Sequence, residues 1–238
     1  MKMSQRNYNK VINLLVRMFF SFNKQTFDNP IYYLEKESFR ESSMFISKHL
    51  QTASLFTTKK GGFWPFIVGQ LDKRTVDGLW LEFGVREGVS AKFFSPYAVK
   101  YSLDSTYHGF DSFNGIRNQW TSTNEPAGSF SMQGTPPKEP LGCKWVIGWV
   151  EETLEPFLES NSGVIAFVHF DFDVYEPTKY ALQSIRNRLC RGTIIVFDEL
   201  HGYPGWQFHE KKALDEVLDG HEYEFIAFSR KQAAIKLL

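Results

Sequence analysis

From Leu79 onward, short apolar runs alternate with segments of helical periodicity, the pattern of a parallel sheet with crossover helices. The runs at 78–83, 107–110, 144–147, 164–170, 193–197, 223–228 and 233–237 read as seven strands. A helix is expected over 177–189, because Pro177 suits a first turn, Ala181, Ile185 and Leu189 recur at i+4, and Gly192 follows. A second is expected over 209–218, with Ala213, Leu214, Val217 and Leu218 on one side and Gly220 as terminator. Residues 114–142 are a long connection rich in Gly, Pro, Ser and Thr, which predicts a functional loop over the carboxyl ends of the strands. Residues 1–60 read as a helical extension, broken at Asp28–Asn29–Pro30 and resuming near Leu34 toward Leu50. Lys59–Lys60–Gly61–Gly62 marks a junction, so the expected division is 1–60 as a lid or dimer contact and 61–238 as the main α/β domain.

The amino-terminal run 11–22 is apolar and preceded by Lys2, Arg6 and Lys10. Arg17 interrupts it and no small-residue cleavage site follows, which argues against a secretory signal. It is also shorter than the roughly 18 residues a membrane span needs. Its cations without acids permit contact with a membrane surface, while a helix packed on the domain or on a second subunit is the preferred reading.

Lys+Arg and Asp+Glu both total 27, so whole-chain charge gives no reason to expect nucleic acid. Two cysteines, Cys143 and Cys190, form no metal or redox spacing and point to a reducing cytoplasm. Aromatic residues make up 16% of the chain, and Trp64, Trp120, Tyr203 and Trp206 stand in loop-like sequence, where they are candidates to line an acceptor pocket.

The stretch LEFGVREGVS at 81–90 is a strand, a turn and a helix start. Gly84 and Gly88 permit a tight turn and close approach of a ligand, and Ser90 is placed to cap the helix. The spacing is GxxxG rather than GxGxxG, and Arg86 stands where a pyrophosphate-binding glycine would be, which disfavours NAD. Glu82, just before the turn, suits a cationic ligand better than a diphosphate; the alternative is a solvated strand-end charge. Asp111 ends the next strand beside Ser112, where a carboxylate accepts from ribose hydroxyls or starts an ordinary turn.

These motifs, LEFGVREGVS, HGFDSFNGI, GWVEETLEPFL, VHFDFDVYEPTKYAL and IIVFDELHGYPGW, stand in this order over about residues 79–220. Together they resemble the macrocin O-methyltransferase family, class I enzymes that methylate sugar hydroxyls. The resemblance implies a Rossmann-like methyltransferase sheet with helices on both faces. It implies S-adenosylmethionine held by Glu82, Gly84, Gly88, Ser90, Asp111 and Ser112, with the adenine near Gly148 and Trp149. It also suggests a homodimer.

Asp171 and Asp173 follow one expected strand, and Asp198 and Glu199 follow its neighbour. Carboxylates converging on one sheet edge repel each other unless something cationic joins them, and Mg²⁺ meets that need with carboxylates, waters and substrate oxygens. Macrocin-type and catechol O-methyltransferases carry metal ligands at these two strand ends, which implies Asp171, Asp198 and Glu199 here. Glu199 is one methylene longer than the usual partner, and Val174 stands where catechol enzymes have a catalytic lysine. Asp171 and His201 are the expected general bases. His169, inside a strand, reads as a satisfied core residue. The leading expectation is metal-assisted O-methylation of a sugar or related hydroxyl. The alternatives are a metal-independent methyltransferase using His201 or Asp171, and a non-catalytic cofactor-binding protein of the same fold.

Overall fold

A computed structural model describes residues 29–58, 61–71, 77–101 and 106–238. The expectations for residues 1–28, including surface contact by the cationic run, lie outside the described residues. Eight strands form a single sheet: β1 (Leu55–Phe56), β2 (Leu79–Phe83), β3 (Tyr107–Asp111), β4 (Cys143–Ile147), β5 (Ile165–Phe170), β6 (Leu189–Phe197), β7 (Tyr223–Phe228) and β8 (Ala233–Leu237). Their spatial order is β1-β7-β8-β6-β5-β2-β3-β4. Every pairing is parallel except those of β8, which runs antiparallel between β6 and β7. All seven expected strands are present. The eighth, β1, is too short to leave a periodic signal, and it joins the edge of the sheet through β7.

The helices are α1 (Pro30–Ser47), α2 (Phe63–Gln70), α3 (Val89–Tyr101), α4 (Val150–Ser160), α5 (Tyr175–Ile185) and α6 (Glu210–Val217). α1, α4, α5 and α6 cover one face, where Leu154, Leu182, Ile185 and Leu214 pack against Leu81, Phe83, Val168, Phe170, Ile195 and Phe197. On the other face, Ile67 of α2 and Ala91 and Phe94 of α3 pack against Trp80, Phe167, Ile194 and Val196. Strand side chains alternate between faces, so Glu82, His169 and Asp198 fall on the same side as Trp80 and Val196.

The helix expected over 177–189 begins two residues earlier and stops at Ile185. Pro177 still lies in the first turn, where its missing N–H breaks no intrahelical bond. Residues Arg186–Arg188 form a 3-10 turn, and Leu189 already belongs to β6. The arginines explain the stop: Arg186 donates to the Val217 carbonyl at the end of α6, and Arg188 donates to those of Leu158 and Asn161 at the end of α4. Those free carbonyls need donors, and the turn aims two guanidinium groups at them. Gly192, expected as a helix terminator, is therefore inside β6 with φ +94°.

Candidate active site

A cavity of about 460 Å³ opens at the carboxyl ends of β2, β3, β5 and β6. The long connection roofs it through Ile116, Arg117, Trp120, Glu125 and Phe130, as its composition predicts.

One half of the cavity is built on the glycine turn. Gly84 has φ +91°, and a Cβ there would lie 2.0 Å from the Asp171 carbonyl oxygen. Only glycine lets β2 and β5 close at this point. Gly88 also has positive φ, but its nearest neighbour would be Trp145 at 3.5 Å, so its role is conformational rather than steric. Asp111 accepts from the Val85 and Arg86 amides with one oxygen, both at 2.8 Å, and from the Phe113 amide with the other at 2.7 Å. The carboxylate thus shapes the turn while still lining the cavity beside Ser112. Gly148 and Trp149 form the far wall, with the Arg117 guanidinium 4.2 Å from the Trp149 ring centre.

Glu82 and Ser90 lie beneath this surface. Glu82 is fully buried, accepts from the Ser90 hydroxyl and sits 3.0 Å from His169 Nδ1. It anchors the turn from below instead of facing the cavity. Trp64 lies on that same underside against His169, Phe93 and Phe94, away from any acceptor position. Tyr203 and Trp206 pack with Val174 and Trp120 in a small separate core, and of these aromatics only Trp120 reaches the cavity wall.

The other half is acidic. Asp171, Asp173 and Glu199 each offer an oxygen within 4.8 Å of the others. Glu199 Oε2 is buried without a hydrogen-bond partner, an orphaned acceptor of the kind a cation satisfies. Burial, and then the charges of Asp198 and Asp173, hold the Asp171 carboxyl well above the usual range. Burial and the neighbouring carboxylates do the same to Glu199. Asp173 is raised to about 7 by burial and Asp198, with Lys231 opposing. Its backbone is left-handed, φ +65°, a conformation that non-glycine residues seldom adopt and that here turns the chain at the cavity wall. Hard divalent cations take such all-oxygen groups, so the residues present fit one.

Asp198 lines the same wall but is already engaged. It accepts from Gln232 Nε2 and lies 3.8 Å from His169 Nε2. Burial works to raise this carboxyl, and His169, Gln232 and Glu199 together outweigh it, leaving Asp198 below its ordinary range. Lys231 Nζ, 3.4 Å from Glu199, adds one positive charge. Of the expected set, Asp171 and Glu199 converge, Asp173 takes the third place, and Asp198 stands beside them on the same cavity wall.

His201 is not brought to the site. It is 2% exposed, and its Nε2 stands 3.3 Å from the Gln232 carbonyl. Burial drives it down to about 4. His169, expected as a satisfied core residue, is fully buried and bonded to Glu82 through Nδ1, while its Nε2 has no hydrogen-bond partner and faces Asp198 at 3.8 Å. Lys231 and Arg117 left no sequence signal, because each sits in an irregular connection whose direction periodicity does not report.

The profile of the family described as "Methyltransferase domain" matches residues 81–200, half of the chain. No curated protein sequence matches it. Among solved structures, the chain is similar to CalS11, calicheamicin methyltransferase, with 28% identity, 72% of this chain and 76% of that chain covered, and a TM-score of 0.62. The apo form of CalS11, described as a TDP-rhamnose 3'-O-methyltransferase of calicheamicin biosynthesis, gives 27% identity over 72% and 76% of the chains, with a TM-score of 0.53. The O-methyltransferase NovP shares the fold at 19% identity, covering 71% of this chain and 76% of its own, with a TM-score of 0.54. With the glycine turn, the strand-end carboxylates and the family profile coinciding over residues 81–200, the chain belongs to the methyltransferase-domain family and is an S-adenosylmethionine-dependent O-methyltransferase.

Proposed function

We propose that this enzyme methylates a hydroxyl group of a sugar or related glycoside, in the manner of macrocin-type enzymes, with a divalent cation such as Mg²⁺ at the acidic half of the cavity. The observation that carries the reading is the Asp171, Asp173 and Glu199 group, open to the same cavity as the glycine turn. The described activity of CalS11 on a nucleotide-linked deoxysugar supports the acceptor class.

In this reading Gly84, Asp111, Ser112 and Trp149 hold the methyl donor, while Glu82, Gly88 and Ser90 fix the turn that carries them. Bound S-adenosylmethionine supplies a methyl group already activated by its sulfonium. Asp171 and Glu199, with Asp198 beside them, would hold the cation, which supplies charge that favours the ionised acceptor oxygen. Asp173, which lines the cavity beside Asp171 and Glu199, takes the acceptor proton on a carboxylate oxygen. Orientation of the acceptor oxygen by these walls matters most, because alignment alone can supply ~7–11 kcal/mol. Residues 1–60 would shape the acceptor side or a dimer contact, as α1 packs through Phe45 on Trp206 and Phe228. Two free cysteines accord with a reducing cytoplasm, and among the described residues no helix is long and apolar enough to cross a membrane.

The test is release of S-adenosylhomocysteine on a panel of nucleotide-linked sugars, glycosides and non-sugar hydroxyls, with Mg²⁺ or a chelator. Turnover on a sugar hydroxyl that chelation abolishes is expected, with severe loss in Asp198→Ala. Turnover indifferent to the chelator removes the cation from the mechanism, and turnover confined to non-sugar acceptors removes the sugar class.

A further inference from the structure

The two halves of the cavity are joined beneath its floor by one side chain. His169 lies on β5 directly opposite Glu82 on β2 and Val196 on β6, and Asp198 follows Val196 by two residues on the same face. Its Nδ1 is 3.0 Å from Glu82 Oε1, while its Nε2 has no hydrogen-bond partner and faces Asp198 Oδ1 at 3.8 Å, an ion-pair rather than a hydrogen-bond distance. Glu82 in turn accepts from Ser90 in the first turn of α3, immediately after the glycine turn. Asp198 is fixed from its other side by Gln232. Both His169 and Glu82 are fully buried. Trp64, edge-on at 6.3 Å, and Phe94, at 5.8 Å, pack around the imidazole. A polar chain held in such surroundings has few alternative partners, so moving one end strains the other.

We infer that His169 is a positioning residue that sets the methyl-donor turn and the acidic group in register, through Glu82 with one ring nitrogen and through Asp198 with the other. The inference rests on the cation reading above and goes beyond it, because His169 touches neither donor nor acceptor. A core histidine with a purely structural task would affect both halves alike. A positioning residue with two separate arms should allow each to be cut independently. His169→Asn places its amide near the Nδ1 position and keeps Glu82 while losing Asp198. His169→Gln reaches toward the Nε2 position and keeps Asp198 while losing Glu82.

The experiment measures S-adenosylhomocysteine affinity by calorimetry and Mn²⁺ affinity by electron paramagnetic resonance on the full chain and on both variants. His169→Asn is expected to keep S-adenosylhomocysteine affinity within about twofold while weakening Mn²⁺ about tenfold or more. His169→Gln is expected to show the reverse split. Wild-type protein that binds Mn²⁺, with both variants unchanged or both affinities lost in equal measure in each variant, overturns the inference alone. Wild-type protein that binds no Mn²⁺ overturns the cation reading and this inference with it.

Discussion

Gly84 and Asp171 meet at the point where the glycine turn touches the first acid of the cavity. The Asp171 amide donates to the Phe83 carbonyl at 2.8 Å, and the Asp171 carbonyl occupies the space a Gly84 side chain would need. The two halves of the site are therefore in backbone contact. Gly84→Ala should cost about 1–3 kcal/mol for the left-handed backbone and a comparable amount for overlap with a carbonyl that belongs to the sheet. Gly88→Ala meets open space to 3.5 Å and carries only the backbone part. Thermal denaturation should show a clearly larger loss for Gly84→Ala, together with weaker S-adenosylhomocysteine binding. Equal losses in the two variants would mean that β2 and β5 do not close as tightly as this contact requires.

The acidic group also gives the protein a definite response to pH. Burial and Asp198 raise Asp173 to about 7, and burial and neighbouring charges hold Asp171 and Glu199 well above their ordinary values. Groups raised in the folded state contribute stability that is complete below their unfolded values and is lost as pH climbs through their folded ones. The cation-free protein should therefore melt lower at pH 8.5 than at pH 6.5. His201 has the opposite sign, since it is lowered from 6.5 to about 4 and costs stability only as pH falls between those values. The window above pH 6.5 thus excludes His201, while His169, raised well above 6.5 against burial by Asp198 and Glu82, and Glu210, raised by burial, act with the same sign as the three carboxyls. A chain of this size shifts by ~2–4 °C per kcal/mol, which calorimetry resolves. Saturating Mg²⁺ should reduce the drop and its binding should release protons, so its affinity should rise from pH 6 to pH 8. A melting temperature that climbs across this window without cation would contradict the arrangement.

Much of this was legible in the sequence, and the parts that were not share a cause. Strands β2 to β8 announced themselves as apolar runs, and EFGVREG carried its turn in two glycines. Their order alone puts Asp111, Asp171, Asp198 and Glu199 on one sheet edge. The end of α5 was misread because Leu189 continues the i+4 spacing by coincidence, while the carbonyl partners of Arg186 and Arg188 lie 27 to 31 residues away. His201 was misplaced for a similar reason. Its neighbours Phe45 and Phe228 come from opposite ends of the chain, and nothing in DELHGYPGW reports them. His169 reads as apolar-run filler because its partners are strand neighbours rather than sequence neighbours.

Asp111 shows how a correct position can hide a second task. A strand-end carboxylate suits a ribose, yet three amides of the turn and the following loop already converge on it. Asp111→Ala would leave those donors unpaired, each at ~1–3 kcal/mol where water cannot replace the carboxylate. Asp111→Asn keeps one acceptor oxygen and should lose less stability. Both should weaken S-adenosylhomocysteine binding, with the alanine variant also losing thermal stability. If Asp111→Ala weakened cofactor binding while leaving the melting temperature untouched, the ribose role would stand alone and the turn would be held by other means.

The proposal of Asp173 as base rests on a contrast between two residues. Asp173 stands at the cavity wall with its carboxyl raised to about 7, whereas His201 is buried away from the cavity and lowered to about 4. A base must reach the proton it removes, and only the first of these lines the cavity. Asp173→Asn should lower kcat by about 10²–10⁴-fold while changing S-adenosylhomocysteine affinity little. His201→Leu should leave kcat within a few-fold. It removes one contact to the Gln232 carbonyl, which still accepts from the Ser229 amide at 2.8 Å, so its stability cost should be near ~1 kcal/mol. Steady-state kinetics on any accepted hydroxyl, with melting temperatures measured alongside, separates the two. A large kcat loss in a well-folded His201→Leu protein, with Asp173→Asn still active, would move the proton to the histidine and require the connection after β6 to rearrange before turnover.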